Sequence, residues 1–139
     1  MTDRITFFLP GRPRPKNQRH VGRGGKIFTD PKQRAHQNDL CLQAKLKAPD
    51  LPWEGAITLC LDFIFPLPKK PRPHQAIGSP HTQKPDADNL AKMIKDSLTG
   101  AEFWDDDCQV SDMRITKRWG DPAGTMVQVI KHGEGDGED

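Results

Sequence analysis

Proline and glycine decide where this chain can be regular. Two stretches are saturated with them: residues 11–31, GRPRPKNQRHVGRGGKIFTDP, and residues 66–83, PLPKKPRPHQAIGSPHTQ, the second holding five prolines. Proline fixes φ and lacks a backbone donor, and glycine loses the most chain entropy on ordering, so neither stretch suits a regular element. Regular structure is confined to the windows between them. Residues 4–9, RITFFL, read as a strand ended by Pro10-Gly11. Thr29 or Asp30 can cap a helix with Pro31 in its first turn, running to about Lys47 and stopped by Pro49. Its apolar stripe of Ala35, Leu40, Leu42, Ala44 and Leu46 is loose. Residues 55–65, GAITLCLDFIF, give the clearest strand, with Ile57, Leu59, Leu61 and Phe63 on one side and Thr58, Cys60 and Asp62 on the other. A helix at about 88–99 stopped by Gly100, then strands at 108–119 and 124–131 joined by a Gly/Pro turn, complete the pattern. The order β-α-β-α-β-β predicts an α+β fold: a single domain with a mixed sheet of about four strands packed with two main helices. Residues 1–132 are expected to form this domain, and the acidic, Gly-rich residues 133–139 a disordered tail.

Charge points to the partner. The net +2 hides eleven Lys or Arg against three Asp in residues 1–49, and four acidic groups in residues 134–139. A basic surface attracts phosphates by Coulomb forces and counterion release. Arg12, Arg14, Lys16, Arg19, Arg23 and Lys26 lie in the first Pro/Gly loop rather than on a helix, and Lys69, Lys70 and Arg72 lie in the second. They are the expected nucleic-acid contacts. The run GRGGK is no phosphate-binding P-loop, because His20 stands where the first glycine belongs and no Ser or Thr follows Lys26. No run approaches the roughly 20 apolar residues of a membrane span, and the start lacks a signal-peptide pattern. Cys41, Cys60 and Cys108 are too scattered for a disulfide framework or zinc site, so a cytoplasmic setting is expected.

The chemistry gathers in KPDADNLAK at 84–92 and in Asp105-Asp106-Asp107. Carboxylates crowded together raise one another's pKa unless a cation compensates. Mg²⁺ or Mn²⁺ suits such oxygen donors and keeps room for a substrate phosphate. Asp88 is expected as the N-cap of its helix, with Asp86 in the approach segment turning toward the same site, Asn89 beside them and Lys92 one turn above Asp88. Asp107, just before a strand, is the best third ligand; Asp105 and Asp106 are supporting groups or simple loop charges. Taken singly, an Asp before a helix is ordinarily a cap and an acidic triplet ordinarily faces solvent. Their combination with a helix-facing lysine favours metal. An EF-hand is excluded, since Leu90 and Ala91 occupy positions that need a ligand and a glycine. The five histidines lack ligand spacing and read mostly as surface residues, and Trp53, Trp104 and Trp119 read as packing groups.

Three segments, Gly-x-Pro-x-Pro-Lys at 11–16, KPDADNLAKMIKDSLTG at 84–100 and FWDDDCQVSDMRI at 103–115, make the chain resemble the RusA family of Holliday junction resolvases, common in phages and prophages. That resemblance implies a homodimer that cuts four-way DNA junctions symmetrically with Mg²⁺ or Mn²⁺. It implies Asp86, Asp88 and Asp107 as metal ligands and catalytic groups, Lys92 as the essential lysine and Asn89 as the neighbouring amide. Lys92 would stabilise the pentacovalent charge or orient the attacking water. The 66–83 loop is longer than in compact members, and three consecutive aspartates stand where two are usual. Competing expectations are a less selective branched-DNA or duplex nuclease, and a DNA-binding module without catalysis.

Overall fold

The computed structural model describes residues 3–16, 20–21, 27–28 and 30–133. In chain order the elements are β1 (Arg4–Pro10), β2 (His20–Val21), β3 (Ile27–Phe28), α1 (Pro31–Lys45), β4 (Ile57–Phe65), α2 (Ala87–Gly100), β5 (Val110–Trp119) and β6 (Gly124–Lys131). Four of the strands form one mixed sheet in the order β1-β6-β4-β5. The pairs β1–β6 and β6–β4 are antiparallel, whereas β4–β5 is parallel. The α+β architecture and the order of its main elements are those the sequence predicts. One addition lies inside the Pro/Gly stretch, where β2 and β3 make a two-residue antiparallel ladder.

Parallel neighbours need a crossover, and α2 supplies it between β4 and β5. A crossover helix runs back against its strands, so α2 begins at the carboxyl ends of β4 and β5 and finishes near their amino ends. The helices cover one sheet face. From that face Phe7, Leu9, Leu59, Leu61, Phe63, Val127 and Val129 meet Leu90, Met93, Ile94 and Leu98 of α2 and Leu40 and Ala44 of α1 in one buried core. On α2 the three/four spacing of its apolar residues alone fixes the buried face. The looser stripe of α1 is only half realised: Leu40 and Ala44 are buried, whereas Leu42 and Leu46 are 70% and 84% exposed.

Helix boundaries shift for identifiable reasons. Asp30 caps α1 by accepting from the Lys32 N–H at 2.9 Å. Gly100 does not stop α2 but belongs to its last turn, where a Cβ would lie 3.3 Å from Cys41 Sγ on α1. The helix instead ends with Glu102 at φ 65°, the Glu102 N–H reaching the Thr99 carbonyl and the Phe103 N–H that of Leu98. The 66–83 segment is pinned to the outer edge of β5 by Gly78 N–H to Trp119 O (2.7 Å), Trp119 N–H to Ser79 O (3.0 Å) and His81 N–H to Lys117 O (3.0 Å). These bonds occupy the outer edge of the carboxyl half of β5, which would otherwise be open to pairing with another chain. No helix among the described residues is long and apolar enough to cross a membrane.

Candidate active site at the start of α2

The first helical hydrogen bond of α2 runs from the Leu90 N–H to the Asp86 carbonyl at 3.2 Å. The N-cap is therefore Asp86, not Asp88 as the sequence suggests, and Asp88 falls inside the first turn. Ala87, a strong helix former, lets the helix start one step earlier. The Asp86 side chain makes no capping bond, which leaves both of its oxygens available. Neither Asp86, Asp88 nor Lys92 forms an ion pair among the described residues. All three are exposed, and the partial positive charge of the helix start favours the two carboxylates.

Basic groups converge on the same end of the sheet. A cleft of about 620 Å³ is lined by Arg12, Arg14 and Lys84 together with Pro13, Pro15, Pro85, Asp86 and Asn89. The segment after β1 is held there by Lys16, whose N–H donates to the Asn89 carbonyl at 3.0 Å and whose ammonium pairs with Asp96 Oδ2 at 2.6 Å. Lys16, expected to meet phosphate, thus already has an anionic partner on α2. Arg12 and Arg14 remain exposed beside Asp86, and the Arg12 guanidinium lies 6.0 Å from the centre of the Phe65 ring. Lys69, Lys70 and Arg72 are exposed on the segment that follows β4. Arg19, Arg23 and Lys26 lie outside the described residues, as does the acidic tail.

The aspartate triplet sits elsewhere. Residues Asp107–Gln109 form a short 3-10 turn just before β5, capped by Asp106, which accepts from the Cys108 N–H at 3.0 Å. That bond, with contributions from the Cys108 thiol and the Asp107 carboxyl, holds Asp106 below the usual carboxylate value. Hydrogen bonding to Asp106 in turn pushes the Cys108 thiol up, away from thiolate chemistry. Gln109 fastens the turn: its Oε1 accepts from the Asp105 and Asp106 N–H groups, and its amide donates to the carbonyls of Trp53 and Gly55. Asp106 is thereby a structural cap, and the Asp107 carboxyl stands beside it at the strand entry.

Topology separates that carboxylate from the other two. The turn adjoins residues 53–55 and follows Phe103 and Trp104, beyond the far end of α2. Since α2 has 14 residues, its ends lie about 21 Å apart at 1.5 Å per residue. Within one chain, then, Asp107 does not join Asp86 and Asp88, contrary to the expectation of a single cluster. Among the described residues no group of three His, Cys, Asp or Glu side chains is placed to hold a metal ion. In chemistry the donors at the helix start do suit one: two unengaged carboxylates and an amide are hard oxygen ligands of the kind Mg²⁺ and Mn²⁺ take.

Three residues of this region escape sequence reasoning. Lys84 sits in the motif itself, so its neighbourhood to Asp86 was there to be read. Lys117 and His81 leave no local signal, because their surroundings are tertiary. Lys117 donates to backbone carbonyls just before α2. His81, expected at the surface like the other histidines, is 5% exposed; it stacks on Phe65 at 4.0 Å and meets Trp119 at a tilt, 4.4 Å between ring centres. Burial, then the nearby Lys117 charge, lowers its pKa from the ordinary 6.5.

A protein of Bacillus subtilis (strain 168), described as "Uncharacterized protein YqaN", is 28% identical over 138 residues, covering 91% of this chain and 96% of that protein. Residues 10–130 match the family model described as "Endodeoxyribonuclease RusA", a span that takes in the Arg12–Arg14 segment, β4, α2 with its leading aspartates, the Asp107 turn, β5 and β6 up to Ile130. The chain belongs to the RusA family of endodeoxyribonucleases.

Proposed function

We propose that this protein resolves four-way DNA junctions as a metal-dependent homodimer acting in recombination and repair in the cytoplasm. The observation that carries this proposal is the cleft at the start of α2, where Asp86, without an ion-pair partner among the described residues, lies with Arg12, Arg14 and Lys84. The cations of the cleft hold a phosphodiester there, and the neighbouring carboxylates call for a cation of their own. Asp86 and Asp88 of one protomer supply two ligands, and Asp107 of the partner subunit supplies the third. That division explains why the two acidic segments lie at opposite ends of α2. A two-fold arrangement brings opposite ends of two copies together twice, which gives two equivalent sites. Paired sites suit a junction, which is relieved by two symmetric cuts.

Mg²⁺ held by these carboxylates would lower the pKa of a bound water and neutralise the scissile phosphate. The protein's own groups do the rest. Arg12, Arg14 and Lys84 hold backbone phosphates along the cleft, and Lys92, one turn above Asp88, donates to the charge that builds on the phosphoryl oxygens. Lys69, Lys70 and Arg72 extend the cationic surface beyond β4.

Side-by-side cleavage of a labelled four-way junction, a fork and a linear duplex, each with and without Mg²⁺, tests the assignment. The expected result is metal-dependent, paired nicking that strongly prefers the junction. Equal rates on all three substrates would make the protein a general nuclease, and binding without cleavage at any Mg²⁺ or Mn²⁺ concentration would leave only a DNA-binding module.

A further inference from the structure

Lys117 occupies a position where an apolar residue belongs. Along β5, Met113, Ile115 and Trp119 pack with the core, whereas Arg114, Thr116 and Arg118 alternate with them. Lys117 falls in the register of the first set, on the helix-covered side of the sheet. A lysine there needs partners, and it has two: its ammonium donates to the carbonyl of Pro85 at 2.6 Å and to that of Gln83 at 2.7 Å. Its own carbonyl accepts from the His81 N–H at 3.0 Å.

The segment it grips has little else. Among the described residues, positions 82–85 make no backbone–backbone hydrogen bond. Chain order runs directly from Pro85 to Asp86, whose side chain carries no capping bond of its own. The orientation of Asp86 therefore depends on how firmly the preceding carbonyls are held. Charge-assisted hydrogen bonds to an ammonium are about twice as strong as neutral ones and suit that purpose.

We propose that Lys117 is a positioning residue for the cation site, fixing the 83–85 segment so that Asp86 is presented ready to bind. This inference rests on the reading of Asp86 as a metal ligand. It makes Lys117 distinct from the phosphate-binding cations, because its ammonium is spent on main-chain carbonyls rather than turned to the cleft.

The test compares the full-length protein with Lys117→Met, which keeps the aliphatic stem, and Lys117→Arg, which keeps the charge. Three readouts are taken: backbone ¹⁵N order parameters at Gln83, Lys84 and Asp86, Mn²⁺ binding by calorimetry, and single-turnover junction cleavage as a function of Mg²⁺. In Lys117→Met, the order parameters at 83–86 are expected to fall, and Mn²⁺ affinity and the Mg²⁺ midpoint to weaken by about tenfold or more, as for other groups that orient metal ligands. Junction affinity is expected to stay within about twofold, since no phosphate contact is lost. Saturating Mg²⁺ should recover most of the rate, and Lys117→Arg should restore the midpoint in part. Order parameters at 83–86 unchanged in Lys117→Met overturn the proposal whatever the cleavage assay shows. So does a loss of junction affinity with the metal midpoint unmoved, which would make Lys117 a phosphate contact. A wild-type protein that binds Mn²⁺ but cleaves nothing would defeat the proposed function instead, while the order parameters and calorimetry still decide the role of Lys117.

Discussion

Single residues at the start of α2 divide into those that are engaged and those that are not. Lys16 is neutralised by Asp96, and Asp106 is taken up by the Cys108 N–H. Asp86, Asp88 and Lys92 have no such partners among the described residues. Engagement of this kind separates scaffold from chemistry where residue type alone cannot. Lys92→Met should leave junction affinity within about threefold but lower the cleavage rate by about 10²–10³, the usual cost of losing one donor aimed at transition-state charge. A gel-shift titration beside single-turnover kinetics reads both quantities. A rate unchanged by the substitution would remove Lys92 from the mechanism. The motif KPDADNLAK was visible in the sequence because helix-start chemistry is local. The capping role of Asp106 was not, because it depends on a tight turn and on Gln109 reaching residues 53–55.

At the scale of elements, α2 and the segment before it carry the site, and β5 carries the segment. The five prolines of 66–83 signalled a long non-regular connection, and that much was legible. Its pairing with β5 was not, since the partners are more than thirty residues away in sequence and no local pattern marks them. His81 is the pin of this contact, stacked on Phe65 and tilted against Trp119, with one ring nitrogen, Nδ1, buried and without a hydrogen-bond partner among the described residues. Burial first, then Lys117 and Arg12, lowers its pKa, and His36 on α1 is lowered in the same sense by burial and Arg14. A histidine whose folded pKa is depressed binds protons better when unfolded. Stability should therefore be fully present above the ordinary value of 6.5, and decline as pH falls below it toward the folded value. Urea denaturation at pH 7.5 and pH 5.0 should show a smaller loss for His81→Phe, which keeps an aromatic ring in the stack, than for the wild type. Part of the loss should persist because of His36. Equal losses in the two proteins would mean that His81 is not held neutral by the fold.

For the whole molecule the governing fact is polarity. The antiparallel pairs place β1 parallel to β4, so β1, β4 and β5 all end at the side where α2 begins. Ligand sites of open sheets with crossover helices gather at such carboxyl ends, and here Arg12, Arg14, Lys84 and Asp86 line one cleft. The opposite end keeps Asp107 with its capped turn. Element order and the four-stranded mixed sheet were legible because hydrophobic periodicity and proline placement are strong signals. The separation of the acidic segments was not, because it follows from the parallel pairing of β4 with β5, a long-range choice. That separation turns the proposed activity into a statement about two chains, and complementation tests it most directly. Asp88→Asn and Asp107→Asn are each expected to abolish Mg²⁺-dependent cleavage of a labelled four-way junction while still binding it. Mixed and allowed to exchange subunits, they should regain nicking, because one of the two shared sites then has all three carboxylates. A mixture as inert as its parts beside an active wild type, or metal-dependent cleavage by either variant alone, would contradict a site shared between protomers.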